Sequence, residues 1–219
     1  NYREIGRRAA DPNPNLDLII YEYIDQSAEL QNGVTYYYAV SSVDAAGQIS
    51  ELSAENAFDT PRPEGRTVLA DSAVDAAKSG FHFGTQQRVH VSLSDVFVDQ
   101  VNGVFYLNVG NLSTDLQDMG QTDSFDDIGW APQTGWSANG WAELITGHTY
   151  VIRTGSPDNV HYAKMWVEGI DEIYSWVSFQ WAYQVAKDNP ELSPGAGSND
   201  GNGSEDKRDA NVSSEANVK

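Results

Sequence analysis

The 219-residue chain contains no cysteine. Disulfides and cysteine-ligated metals are therefore excluded within this sequence, and stability has to come from the size of the core. Basic residues are scarce as well: 13 Lys and Arg stand against 32 Asp and Glu, a formal charge of −19. The imbalance is not confined to one end, because residues 1–184 alone carry 9 against 25, or −16. Such a surface has few cations to offer nucleic-acid phosphates and is repelled by anionic lipid, so neither is an expected partner. It suits a soluble extracytoplasmic protein, a basic protein partner or divalent cations. No apolar run approaches the ~18 residues that a membrane-crossing helix requires. No transmembrane segment is expected in this chain, and membrane attachment would come from residues outside this sequence or from a partner. Signatures of catalysis are missing too. There is no Gly-x-Ser-x-Gly elbow, no His-Glu-x-x-His and no phosphate loop. Carboxylates are plentiful, but a glycosidase needs two of them at a set separation in a cleft. The chain is expected to be a non-enzyme.

What is present is β-type patterning. After an Asn32-Gly33 turn, Tyr36, Tyr38 and Val40 alternate with Tyr37, Ala39 and Ser41. Period-two alternation marks a half-buried strand. Further strands are expected at Asn1–Gly6, Leu18–Asp25 and Ser53–Thr60, with a hairpin-like turn at Ala45-Ala46-Gly47-Gln48. The Leu30, Gly33 and Tyr36 arrangement resembles the tyrosine corner of a β-sandwich. Residues 1–63 as a whole resemble the later part of a fibronectin type III domain. The resemblance implies an extracytoplasmic module that holds things together rather than one that catalyses. A complete sandwich of this class has about seven strands, and about four can be traced here. The chain is thus expected to begin inside a domain, with the first strands and any signal peptide or lipid-anchoring cysteine upstream.

Pro61-Arg62-Pro63 reads as a stiff linker, and residues 64–79 as linker and short helix, the helix spanning Ala73–Ser79. Strands follow at Arg88–Leu93, Val96–Asp99, Val104–Val109, Thr149–Thr154, His161–Val167 and Trp176–Gln184, with a turn at Gln100–Gly103. The last strand is the clearest: Val177, Phe179, Trp181 and Tyr183 fall on one face, with Phe179 and Trp181 as core anchors. Asp115–Trp141 reads as loop. Short strands with little helix predict an all-β fold: an incomplete fibronectin-like sandwich followed by a second antiparallel sandwich or barrel. The segments Gly147–Thr154, Tyr162–Val167 and Val177–Gln184, with Tyr162-Ala163-Lys164 as the more specific element, are similar to the C-terminal part of the HmuY-like family. That resemblance spans residues 80–192 and implies a secreted or lipid-anchored bacterial β-protein; some members carry haem. Residues 193–219 are polar and poor in aromatics, and are expected to form a disordered tail.

Three sets of residues are candidates for a site. Trp130, Trp136 and Trp141 lie among Gly, Pro, Ser and Asn, and suit lids over the core, a protein interface or a sugar platform. Asp115, Asp118, Asp123, Asp126 and Asp127 crowd one stretch. Hard cations such as calcium favour several carboxylates on a bent loop, but this spacing fits no EF-hand, and a solvated acidic loop is the plainer reading. Haem would need axial His or Met ligands. His82, His90, His148, His161, Met119 and Met165 are available, of which His148 and His161 are the candidate pair, although surface or structural roles account for them equally simply. No cofactor is required by the sequence. The function expected is that of a non-catalytic accessory subunit docking on a larger bacterial envelope or membrane complex, respiratory and photosynthetic ones included. A secreted or lipid-anchored carrier of haem or carbohydrate is the alternative.

Overall fold

The computed structural model describes residues 2–10, 21, 23–53 and 57–194. The chain is all-β. Its strands are β1 (Tyr36–Tyr38), β2 (Ala57–Asp59), β3 (Glu64–Ala70), β4 (Gly80–His82), β5 (Gln87–Val89), β6 (Val96–Val101), β7 (Val104–Val109), β8 (Asp115–Gln121), β9 (Trp141–Glu143), β10 (His148–Ser156), β11 (Asn159–Asp171) and β12 (Trp176–Gln184). The helical pieces among the described residues are single 3-10 turns. Two five-stranded antiparallel sheets, in the orders β3-β12-β11-β10-β8 and β5-β4-β6-β7-β9, pack as a sandwich; β1 and β2 pair separately.

Alternation builds the core between the sheets. Val177, Phe179, Trp181 and Tyr183 of β12 all point into it. There they meet Phe81, Val96, Val98, Phe105 and Leu107 of the facing sheet. The Phe81 ring stands edge-on to Phe83 and Phe179, with centroids 5.1 and 5.9 Å away. Each of these large side chains contributes roughly 1.5–3 kcal/mol by burial. Opposite Trp181 on β3 is Gly65. A Cβ there would stand 3.1 Å from the indole, so the ring holds that position to glycine.

The same alternation sends Val151, Tyr162, Lys164 and Gln184 to the outer face of the first sheet. That face is not left to water. Ala131 and Leu192 close over Val151 as a second apolar cluster, with Met119, Ile128, Trp136 and Tyr162 packed around it. The cover comes from the chain after β8 and from residues 189–193 after β12.

Several expectations are corrected. Glu64–Ala70 is a strand rather than linker, because Leu69 faces the core opposite Val177. Residues 72–79 form turns instead of a helix; Asp75 N does reach Asp71 O, but the next bonds, such as Lys78 N to Asp75 O, are three residues long. Asp115–Gln121 is an edge strand rather than loop, aligned with β10. Strand β5 stops at Val89, and Val91–Leu93 is a 3-10 turn capped by His90. Residues 193 and 194, placed in the expected tail, are among the described residues: Leu192 is buried and Ser193 bonds Lys164. Tyr162-Ala163-Lys164 lies in β11, within the strand expected at His161–Val167.

In the N-terminal region, residues 2–6 are not a strand, and the expected strand at Ser53–Thr60 is limited to β2, residues 54–56 lying outside the described residues. Most of the Leu18–Asp25 expectation and residues 195–219 also lie outside them. The turn at 45–48 is present, with Asp44 Oδ1 accepting from Ala46 N and Gln48 N. The Tyr36 hydroxyl donates to Glu29 O and accepts from Gln31 N, both at 3.1 Å. Gly33, at φ +81°, donates from its N–H to Pro61 O, and a Cβ there would be 2.8 Å from Val185. The Asn32-Gly33 turn is thereby seated against the end of β12.

Candidate functional site

Two polar side chains on the outer face of the first sheet, Lys164 and Gln184, are buried, and with Arg62 and Glu191 they form a clasp. Lys164 is fully buried. Its ammonium donates to Phe125 O at 2.7 Å and to Ser193 Oγ, lies 3.4 Å from Asp126 Oδ1 and 3.5 Å from Ile128 O, and stands 4.0 Å over the Phe125 ring. Burial pushes its pKa down to about 8, with Asp126 opposing the shift. Every ammonium proton has an acceptor, so the amine has a holding role rather than a nucleophile's freedom. Beside it, Arg62 donates to Asp59 Oδ1 at 2.9 Å and to the carbonyls of Thr60 and Glu191 at 3.1 and 3.4 Å. The Glu191 carboxylate accepts from Thr60 N at 3.1 Å and lies 3.9 Å from the guanidinium; burial holds its pKa above the usual carboxylate range. Gln184 Nε2 donates to the same two carbonyls, at 3.3 and 3.2 Å. Residues 57–63, the end of β12 and residues 189–193 are thus locked together by charge and amide groups.

The five aspartates are dispersed among separate tasks. Asp115 pairs with Arg153, its Oδ2 3.0 Å from Nε. Asp118 accepts from Gly120 N at 2.8 Å and lies 3.0 Å from His148 Nδ1. Asp127 closes a capping box with Ser124 and accepts from Asp123 N at 2.8 Å, while Asp126 faces Lys164. Among the described residues, no group of three or more His, Asp or Glu side chains gathers at metal-binding distance.

His148 and His161 are not brought together. His161 is opposite Thr154 in the β10–β11 register. His148 lies six residues further along β10, about 20 Å away at ~3.3 Å per residue, so one iron cannot take both rings. His161 Nδ1 lies 3.2 Å from Gln184 O, and His82 and His90 cap 3-10 turns. Met165 is in the core, and Met119 packs against the second cluster.

The tryptophans also separate. Trp136 belongs to the outer cover: Arg153 is 4.7 Å over its ring, and its indole N–H is buried without a partner among the described residues. Trp130 bridges to Glu191 through its backbone and meets Phe58 edge-on at 6.4 Å. Trp141 is on β9 of the other sheet, half exposed and edge-on to Tyr106 at 5.2 Å.

A different surface has the features of a contact site. The hairpin joining β11 to β12 runs Asp171-Glu172-Ile173-Tyr174-Ser175-Trp176. Ile173 is 87% exposed, Tyr174 65% and Trp176 44%, and the two aromatic rings lie 5.3 Å apart. The tip is preorganised. Asp171 Oδ1 accepts from Ile173 N and Tyr174 N at 3.0 Å each, and Ser175, at φ +55°, has its carbonyl bonded by Asp71 N at 2.8 Å. Three apolar side chains are therefore held in water on a rigid mount, without the ordering cost that a floppy loop would incur on binding. Next to the tip is an open cleft of about 380 Å³, whose lining includes Phe105, Glu143, Leu144, Ile145, Ile170 and Glu172. Its floor is fixed by Tyr150, which donates to Glu143 O at 2.6 Å and accepts from Ile145 N at 3.0 Å. Burial raises the pKa of this phenol, so it stays a neutral donor. Tyr150→Phe is expected to cost about 1–3 kcal/mol of stability, read from the urea midpoint, because it leaves a carbonyl and an N–H unpaired beside the core.

Sequence patterning did not single out this hairpin. The available signal was an Ile-Tyr pair placed in a turn, where alternation stops and polar residues are usual. No helix among the described residues is long and apolar enough to cross a membrane. Compared with known protein families, curated proteins and solved structures, the chain finds no match.

Proposed function

We propose that this chain is a non-catalytic, extracytoplasmic accessory subunit that docks on a larger assembly of the bacterial envelope, a membrane complex included. The observation that carries the reading is the rigid hairpin at 171–176, with its aliphatic and aromatic side chains held in water. Exposed, clustered and preorganised apolar groups of this kind are interface anchors, because their desolvation is deferred until a partner covers them. The resemblances to fibronectin type III and HmuY-like proteins point the same way, and the backward hydrogen bond of Tyr36 supports the first of them. The net charge of −19 favours a basic partner.

The test is extraction of the native protein in mild detergent. It is expected to sediment with a large complex at ~50 mM salt and to leave it at ~500 mM, where exposed charges are screened within a few ångströms. Recovery as a single free chain in every low-salt extract contradicts the assignment.

A further inference from the structure

We infer that the 171–176 hairpin inserts into an apolar pocket of a partner protein, and that Lys and Arg side chains rim that pocket. The inference rests on the docking reading and names the chemistry of its partner.

Charge on the hairpin selects this occupant. The apolar tip of Ile173, Tyr174 and Trp176 is flanked by Asp171 and Glu172, with Glu143 across the neighbouring cleft. Neither Glu143 nor Glu172 takes part in an ion pair among the described residues, and no Lys or Arg lies between Gly169 and Val177. Ile173 entering a pocket would carry Glu172 to its rim, where a cation is the complementary group. A second copy of this chain would meet −19 with −19. An anionic bilayer repels the same carboxylates, and a zwitterionic one gains three side chains while both carboxylates must follow them into the headgroups. An apolar pocket with a basic rim takes the tip and the carboxylates together.

The experiment places the photo-crosslinker benzoylphenylalanine at position 174, and separately at the exposed position 37, in the full chain within the cells that make it. Crosslinks are mapped to residues by mass spectrometry. The expected result is a position-174 crosslink to a protein, at a site lined by apolar side chains with Lys or Arg adjacent. Its yield should fall at least tenfold with Ile173→Asp, about the loss of one interface anchor. Glu172→Lys should weaken it several-fold at low salt, and the difference should vanish at high salt. Both substituted residues are solvent-facing, so the unfolding midpoint is expected to stay within error of the parent, which separates lost binding from lost fold. Crosslinking at 37 but not at 174 overturns the inference and leaves the docking reading standing. Silence at both positions removes both. A position-174 crosslink that maps to lipid, glycan, a second copy of the chain, or a protein surface without cations also overturns it.

Discussion

Arg62→Ala is expected to lower the free energy of unfolding by about 3–5 kcal/mol, which would make it among the most damaging single changes in the molecule. The guanidinium is nearly inaccessible, and so is the Glu191 carboxylate 3.9 Å from it. Removing the cation leaves that carboxylate buried beside Asp59, with the backbone N–H and the hydroxyl of Thr60 to solvate its charge, and it strips one donor from each of the carbonyls of Thr60 and Glu191. Burial already raises the Glu191 pKa, and loss of Arg62 raises it further. The deficit should therefore shrink as pH falls and Glu191 becomes protonated, since a neutral carboxyl needs no counter-ion. Urea midpoints across the acid range read this directly. The double replacement of Arg62→Met with Glu191→Gln should recover most of the loss, because it removes the charge pair as a unit. A deficit under about 1 kcal/mol, or one independent of pH, would mean that the clasp does not hold residues 57–63 to the sandwich.

Lys164 gives the second large effect. Its pKa in the folded chain is about 8, against 10.5 ordinarily. Between those values the unfolded chain holds a proton that the folded chain does not, so stability rises with pH. The gain is fully present above 10.5 and is lost as pH falls through 8; across the whole span it amounts to about 3 kcal/mol. Tyrosines intervene at the upper end. Burial raises Tyr38 to about 12 and also raises Tyr150 and Tyr183, so their ionisation in the unfolded chain works in the opposite direction. The clean window is pH 8 to ~9.5, where the parent should gain about 2 kcal/mol and Lys164→Met should stay flat. Chemical unfolding of both proteins at several pH values provides the check. A parent curve as flat as the variant's would show that Lys164 is hydrated rather than buried.

The parts of the fold legible in the sequence were those in which one face of a strand is apolar throughout. β12 alternates without interruption from Trp176 to Gln184, and all four inward residues reach the core. β3 and β8 are edge strands with one neighbour each, and each sends few large apolar residues inward, chiefly Leu69 and Leu116. Their polar residues instead meet partners far along the chain, as Arg66 meets Glu168 and Asp115 meets Arg153. Alternation therefore carries little signal there, and composition reads as linker or loop. The clasp was hidden for the same reason. Pro-Arg-Pro is locally a linker, and only the return of Glu191, more than a hundred residues later, turns Arg62 into an interior residue. The separation of His148 from His161 is a matter of register, which spacing along the chain does not reveal. The hairpin tip was readable in principle, because an Ile-Tyr pair in a turn after Asp171 has no core to enter.

The most direct measurement compares the parent with Ile173→Asp in low-salt detergent extracts, with the fraction of each chain in the high-mass peak as the readout. A docking subunit anchored by this hairpin should be found in that peak as the parent and released as the variant, with the two chains unfolding at the same urea concentration. Equal partition of the two, whether both bound or both free, would contradict it.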